Sequence, residues 1–217
     1  MRRLIAEVEK AVRRALEGEG SGHDWWHLWR VRRLAERIAR AERGADRTVV
    51  VLGALLHDLA DWKFRGGDEE AAPREAGRLL KKLGADARLI ARVQSVCREV
   101  SFKGAKVPDR PTSLECRIVQ DADRLDAIGA IGVARTFAYG GSVGQPLYEP
   151  GRKPVLHRSF AAYKKSRGNT VNHFHEKLLL LKDRLHTKEA RRLAKERHVF
   201  MERFLKRFHE EWDGRDR

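Results

Sequence analysis

The sequence predicts an all-α protein, and three observations carry that prediction. Apolar residues recur every three or four positions through nearly every segment. No run alternates apolar and polar residues between turn signals in the way a half-buried strand does. Glycines, prolines and short polar residues stand where helices would begin and end. With 217 residues, 41% of them hydrophobic, the chain can bury one sizeable core, so a single-domain helical bundle is expected.

Leu4, Ile5, Val8, Ala11, Val12 and Leu16 place a first helix over residues 2–17, stopped by Gly18-Glu19-Gly20. A second follows Ser21 or Asp24 as cap and runs through Trp25, Leu28, Val31, Leu34, Ala35 and Ile38 toward Gly44. Asp46 or Thr48 opens a third, residues 47–59, after which 62–68 reads as loop. Pro73 suits a first helical turn, so a fourth helix is expected to end at Leu83-Gly84, and a fifth spans 86–100. Residues 101–111 are loop. From Ser113 the apolar spacing continues through Leu125, Ile128, Ile131 and Ala134 to Phe137, which predicts one long helix. Gly140 to Pro154, with Pro146 and Pro150 between, predicts an extended loop lying over a neighbouring cleft. Helices over 170–185 and 187–212 close the chain. The expected division is an N-terminal helix (1–20), a helical core (21–139), a loop (140–156) and C-terminal helices (157–217) completing the same domain.

Composition narrows the function classes. No stretch approaches the roughly 18 consecutive apolar residues of a membrane span, and the start Met1-Arg2-Arg3-Leu4-Ile5-Ala6-Glu7 turns charged too early for a secretory signal, so a cytoplasmic protein is expected. Cys97 and Cys116 lack any paired spacing and read as small core residues rather than a disulfide framework or zinc site. The formal net charge of +15 favours an anionic partner. Basic residues nevertheless alternate with acidic ones, as in Lys188-Glu189-Ala190-Arg191-Arg192, the pattern of a solvated helix face, and no nucleic-acid-binding module accompanies them.

The chemistry gathers at His57-Asp58, the end of the apolar run Val50-Val51-Leu52-Gly53-Ala54-Leu55-Leu56. A carboxylate carried into an apolar surrounding needs a partner, and a divalent metal would use imidazole and carboxylate together. Upstream, His27 follows His23-Asp24-Trp25-Trp26 near the start of the second helix. Downstream, Asp121-Ala122-Asp123-Arg124-Leu125-Asp126 crowds three carboxylates into an otherwise apolar helix, where they cannot all face one point. Trp25, Trp26 and Trp29 are expected to pack rather than stack on a base. No serine, cysteine or glycine-rich loop has a nucleophile or phosphate-cradle context, which favours direct attack by water.

His27, then His57-Asp58, then Asp123 in Ala122-Asp123-Arg124-Leu125, together with His27-Leu28-Trp29-Arg30-Val31, residues 120–130, Arg135-Thr136-Phe137 and residues 172–179, resembles the H…HD…D signature of the HD superfamily of metal-dependent phosphohydrolases. The likeness extends over about residues 21–212, to bacterial single-domain members that hydrolyse nucleoside triphosphates. It implies His27, His57, Asp58 and Asp123 as ligands of one divalent ion, with Asp121 the competing fourth ligand. Two imidazoles and two carboxylates suit Mn²⁺ first, and Mg²⁺, Fe²⁺, Co²⁺ or Ni²⁺ as alternatives. It also implies Asp61 as the base that orients or deprotonates water activated at the metal. Arg30 and Lys63 are candidates for gripping phosphate oxygens, with Lys103, Arg124 and Arg135 behind them. His23 is expected to support the site or cap the helix, and the remaining histidines to be structural or exposed. The expected activity is nucleoside or deoxynucleoside triphosphate pyrophosphohydrolysis on a phosphorylated small molecule. A phosphomonoesterase of nucleoside monophosphates, a non-enzymatic basic nucleic-acid-binding protein and a ligand sensor that keeps the pocket without turnover are the alternatives.

Overall fold

The computed structural model describes residues 1–18, 24–59, 68–159, 161–162 and 168–215. The described residues form helices and turns and contain no strand. They divide into two compact units: residues 1–102 with 108–123, and residues 103–107 with 124–217.

The first unit is built around a helix with no solvent side. Helix α3 (Arg47–Leu56) is buried at every position from Val49 to Leu56. That follows from its sequence, Val-Val-Val-Leu-Gly-Ala-Leu-Leu, which offers no polar residue to turn outward. Around it lie α1 (Arg2–Ala15), α2 (Trp25–Ala41) and α5 (Ala87–Glu99), with α4 (Ala71–Lys82) packed on α5. The apolar stripes predicted from spacing are the buried ones: Val8 and Val12 on α1, and Leu28, Val31, Ala35 and Ile38 on α2. Asp24, Asp46 and Asp86 cap α2, α3 and α5, accepting from the backbone N–H groups of His27, of Thr48 and Val49, and of Leu89. Asp46 also takes Arg92 at 2.6 Å and gives its own N–H to Glu115, which Arg92 reaches at 3.1 Å. One triad thereby ties the start of α3 to α5 and to the start of α6 (Leu114–Asp126).

Helices α1 and α2 stop two to three residues short of the sequence reading, at Ala15 and Ala41, and two further boundaries differ. Helix α3 ends at Leu56 rather than at residue 59, with His57 to Leu59 in a turn, and α4 begins at Ala71, two residues before Pro73.

The second unit corrects three expectations. The long helix expected over 113–137 is broken after Asp126: Ile128 is extended, Gly129 takes φ +78°, and α7 runs over Gly129–Ser142. Positive φ is open to glycine at little cost, so the chain turns there although the apolar spacing continues. Gly140 to Ser142 are helical rather than loop, and Gly140 is the close-approach point: a Cβ there would lie 2.4 Å from Thr170 Oγ1. Residues 170–185 form a short α8 (Asn172–Glu176) followed by a 3₁₀ helix (Leu178–Arg184) instead of one helix. The proline-rich segment is hydrogen-bonded to the start of α8, with Thr170 and Val171 N–H donating to Pro146 and Leu147 carbonyls. Helix α9 (Lys188–Trp212) packs on α7, and Phe137, Phe174 and Phe204 meet between them and α8.

Candidate metal centre

Three helix termini of the first unit deliver the site. On α2, the Asp24 cap fixes the first turn through the His27 N–H at 2.8 Å, and the His27 side chain is fully buried. On α3, His57 is the residue at which the helix stops, its N–H donating to Gly53 carbonyl at 3.0 Å. On α6, Gln120 donates to the Glu99 carbonyl at 2.9 Å, which holds the helix to the end of α5 one turn before Asp123.

The side chains converge. His27 Nε2 is 3.5 Å from Asp58 Oδ2 and 3.5 Å from Asp123 Oδ1, while His57 Nε2 is 3.7 Å from Asp123 Oδ1. The imidazoles of His27 and His57 stand edge to face with centroids 5.5 Å apart. His27, His57 and Asp123 offer donor atoms that all lie within 4.8 Å of one another; Asp58 joins through His27 and stands outside that mutual set. Two donors about 2.1 Å from a shared ion lie no more than about 4.2 Å apart, so these three separations of 3.5, 3.5 and 3.7 Å fit one cation.

The hydrogen-bonding of His57 fits the same purpose. Its Nδ1 lies 3.0 Å from the Ala54 carbonyl, which can only accept, so the N–H sits on Nδ1 and directs the Nε2 lone pair at the cluster. Nε2 itself is buried without a hydrogen-bond partner among the described residues, since Asp123 at 3.7 Å is beyond reach. A buried acceptor left in this state is costly unless something binds it, and a metal ion is what the surrounding carboxylates would admit.

In the metal-free chain the carboxylates hold a proton there instead. Burial alone would lower the His57 pKa, but Asp123 and Asp58 outweigh it and raise it to about 9. Asp123 shows the reciprocal effect: burial works to raise its pKa, while His57 and His27 hold it well below the usual carboxylate range. The centre attracts positive charge of either kind.

The predicted residues divide as follows. His27, His57, Asp58 and Asp123 are brought together. Of the two competing carboxylates on α6, Asp123 is in the cluster; Asp121 is fully buried and stands outside it, and Asp126 pairs with Arg135 at 3.0 Å in the second unit. Arg30 is half-buried on α2, one turn past His27. Arg124 is buried with its guanidinium on the Arg184 carbonyl, a structural contact of the second unit. Asp61, Lys63 and His23 lie outside the described residues. Cys97 and Cys116 are buried, as expected. The tryptophans correct an expectation in part: Trp25 is half-buried, whereas Trp26 and Trp29 are largely exposed and meet each other edge to face. Sequence reasoning missed the Asp46–Arg92–Glu115 triad, whose members lie 23 to 69 residues apart with no local signature. Among the described residues no helix is long and apolar enough to cross a membrane.

Comparison with known proteins points to one family. The chain matches the HD domain family over residues 25–128. Over 97% of its length it is 37% identical to the uncharacterized protein YpgQ of Bacillus subtilis, covering 94% of that protein. A Lactobacillus plantarum crystal structure superposes with a TM-score of 0.87 at 34% identity, over 99% of this chain and 98% of that one. An HD-superfamily hydrolase of Bacillus thuringiensis gives 0.72 at 36% identity, over 98% of each chain. YpgQ in complex with ADP gives 0.72 at 33% identity, over 98% of this chain and all of that one.

Proposed function

Because the chain belongs to the HD domain family of metal-dependent phosphohydrolases, we propose that it hydrolyses nucleotides, with a nucleoside or deoxynucleoside triphosphate as substrate and pyrophosphate as leaving group. What supports this reading most is the convergence of His27, His57 and Asp123 within 4.8 Å of one another. The crystal structure of the relative YpgQ with ADP supports a nucleotide as the class of ligand.

His27, His57, Asp58 and Asp123 hold the ion, with Mn²⁺ the best match to two imidazoles and two carboxylates. A divalent ion held there supplies Lewis acidity toward a phosphoryl oxygen and toward water. The Ala54 carbonyl fixes the His57 tautomer, so this ligand is oriented before anything binds. Asp61, three residues past Asp58, accepts the proton of the attacking water. Arg30 and Lys63 bind phosphate oxygens and offset the negative charge that develops as the phosphorus is attacked. Water then adds to phosphorus, the bridging oxygen leaves with pyrophosphate, and nucleoside monophosphate is the second product.

A panel of ribo- and deoxyribonucleotides incubated with Mn²⁺-loaded protein, with products resolved by ion exchange, tests this. Monophosphate plus pyrophosphate is the expected pair; orthophosphate from monophosphates points to the monoesterase, and an inert panel defeats the reading.

A further inference from the structure

The exposed tryptophans of α2 do not stand alone. Trp26 is 55% and Trp29 40% exposed. At 3.6 residues per turn they share an arc of about 100° with Arg30, Arg33, Arg37 and Arg40, a stripe about 21 Å long from Trp26 to Arg40. Trp26 and Trp29 meet edge to face at 6.1 Å, and the Arg33 guanidinium lies 5.5 Å from the Trp29 ring centroid. The single carboxylate of α2, Glu36, is outside the stripe, engaged by Arg32 at 3.2 Å. The face therefore presents two aromatic rings followed by cations at one-turn intervals, on a chain whose net charge is +15.

We propose that this face of α2 binds single-stranded nucleic acid, with Trp26 and Trp29 stacking on unpaired bases and Arg33 and Arg40 following the phosphates. Base stacking on exposed aromatics beside a basic track is the chemistry by which unpaired strands are held with little sequence preference. A duplex hides its base faces and would meet only the arginines. An anionic membrane is the poorer match, because an interfacial helix needs a continuous apolar face to insert. That face of α2, Leu28, Val31, Ala35 and Ile38, is already in the core. The proposal stands apart from the hydrolytic reading, since no residue of the stripe except Arg30 has a role there.

The test is fluorescence anisotropy of a labelled oligothymidylate of about fifteen nucleotides, titrated with the full chain with and without Mn²⁺ over a range of salt. Binding is expected in both conditions, steeply weakened by salt. Trp26→Ala with Trp29→Ala should weaken it about tenfold or more, while Trp26→Phe with Trp29→Phe retains most of it. Arg33→Ala with Arg40→Ala should lower the slope of log affinity against log salt by about 0.7 per arginine. Lys81→Ala with Lys82→Ala, exposed at the end of α4, removes equal charge elsewhere and should change affinity by less than about twofold. Equal loss in that control, indifference to the tryptophans, binding only with Mn²⁺, or capture of phosphatidylserine vesicles but not oligonucleotide each overturns the proposal. A urea midpoint for every variant separates loss of binding from loss of fold.

Discussion

Gly53→Ala sets two forces of known size against each other inside α3. Helix propensity alone favours alanine over an interior glycine by about 0.5–1 kcal/mol. The added Cβ, however, would lie 2.7 Å from Val96 Cγ1, 3.2 Å from Val96 Cβ and 3.6 Å from Val119 Cγ2. Val96 and Val119 are fully buried, so neither has a solvent side into which to retreat. Overpacking of this kind costs about 1–3 kcal/mol, which leaves a net loss of about 0–2.5 kcal/mol. Urea denaturation of the metal-free protein reads it as a lowered midpoint at unchanged slope. Removing the obstruction isolates the cause. Val96→Ala alone should destabilise by leaving a cavity, but in the double variant the alanine at 53 occupies the space of the lost Cγ1, one of the two methyls removed. The two changes should therefore combine with less damage than their sum, by about 1–3 kcal/mol. Because His57 N–H donates to the Gly53 carbonyl, a shift at 53 should also weaken metal binding in the single variant and recover in the double. A Gly53→Ala protein that is more stable than the parent, with no coupling to position 96, would refute the close approach of α3 and α5.

Four further outcomes are expected. His57→Ala should abolish stoichiometric metal uptake measured by elemental analysis, whereas Asp61→Ala should keep the metal and lose at least about a hundredfold in kcat. Loss of metal in both would remove Asp61 from the proton-transfer role. With the His57 pKa at about 9 in the metal-free chain, ion binding must displace a proton below that pH. Calorimetry in buffers of different ionisation enthalpy should then show release near one proton per ion at pH 7, with apparent affinity rising toward pH 9 and levelling above it. The same raised value means that protonated His57 stabilises the metal-free fold fully below about pH 6.5 and that this contribution fades as pH rises through 9, so metal-free thermal stability should fall across that window. Burial pushes the Cys97 thiol up to about 12 and Cys116 is fully buried, so a thiol reagent at pH 8 should titrate neither in the native protein and both in denaturant.

The candidate metal-site residues stood out in the sequence because their chemistry is incompatible with their surroundings: His57-Asp58 ends an apolar helix, and Asp123 interrupts another. The side-chain directions did not, since helical spacing alone left Asp121 and Asp123 both open. The break at Gly129 was hidden by Leu125, Ile128, Ile131 and Ala134, which keep apolar spacing across a residue with left-handed backbone. Gly129 and Gly132 carried the signal: a Cβ at 132 would strike the Ala127 carbonyl oxygen at 2.2 Å. Gly140 misled in the opposite sense, because its lack of a side chain serves contact with Thr170 rather than a turn. For Trp26 and Trp29, the stripe Leu28, Val31, Ala35 and Ile38 already marked the buried side of α2, and neither ring lies at its centre.

A helix walled in on every side, as α3 is, has little capacity for neutral drift. Saturation libraries over residues 49–56 should return few active clones, and those few should be near-isosteric aliphatic exchanges. Change in what the enzyme accepts must then arise on elements with an open flank, such as α2, whose outward residues can vary while His27 stays put.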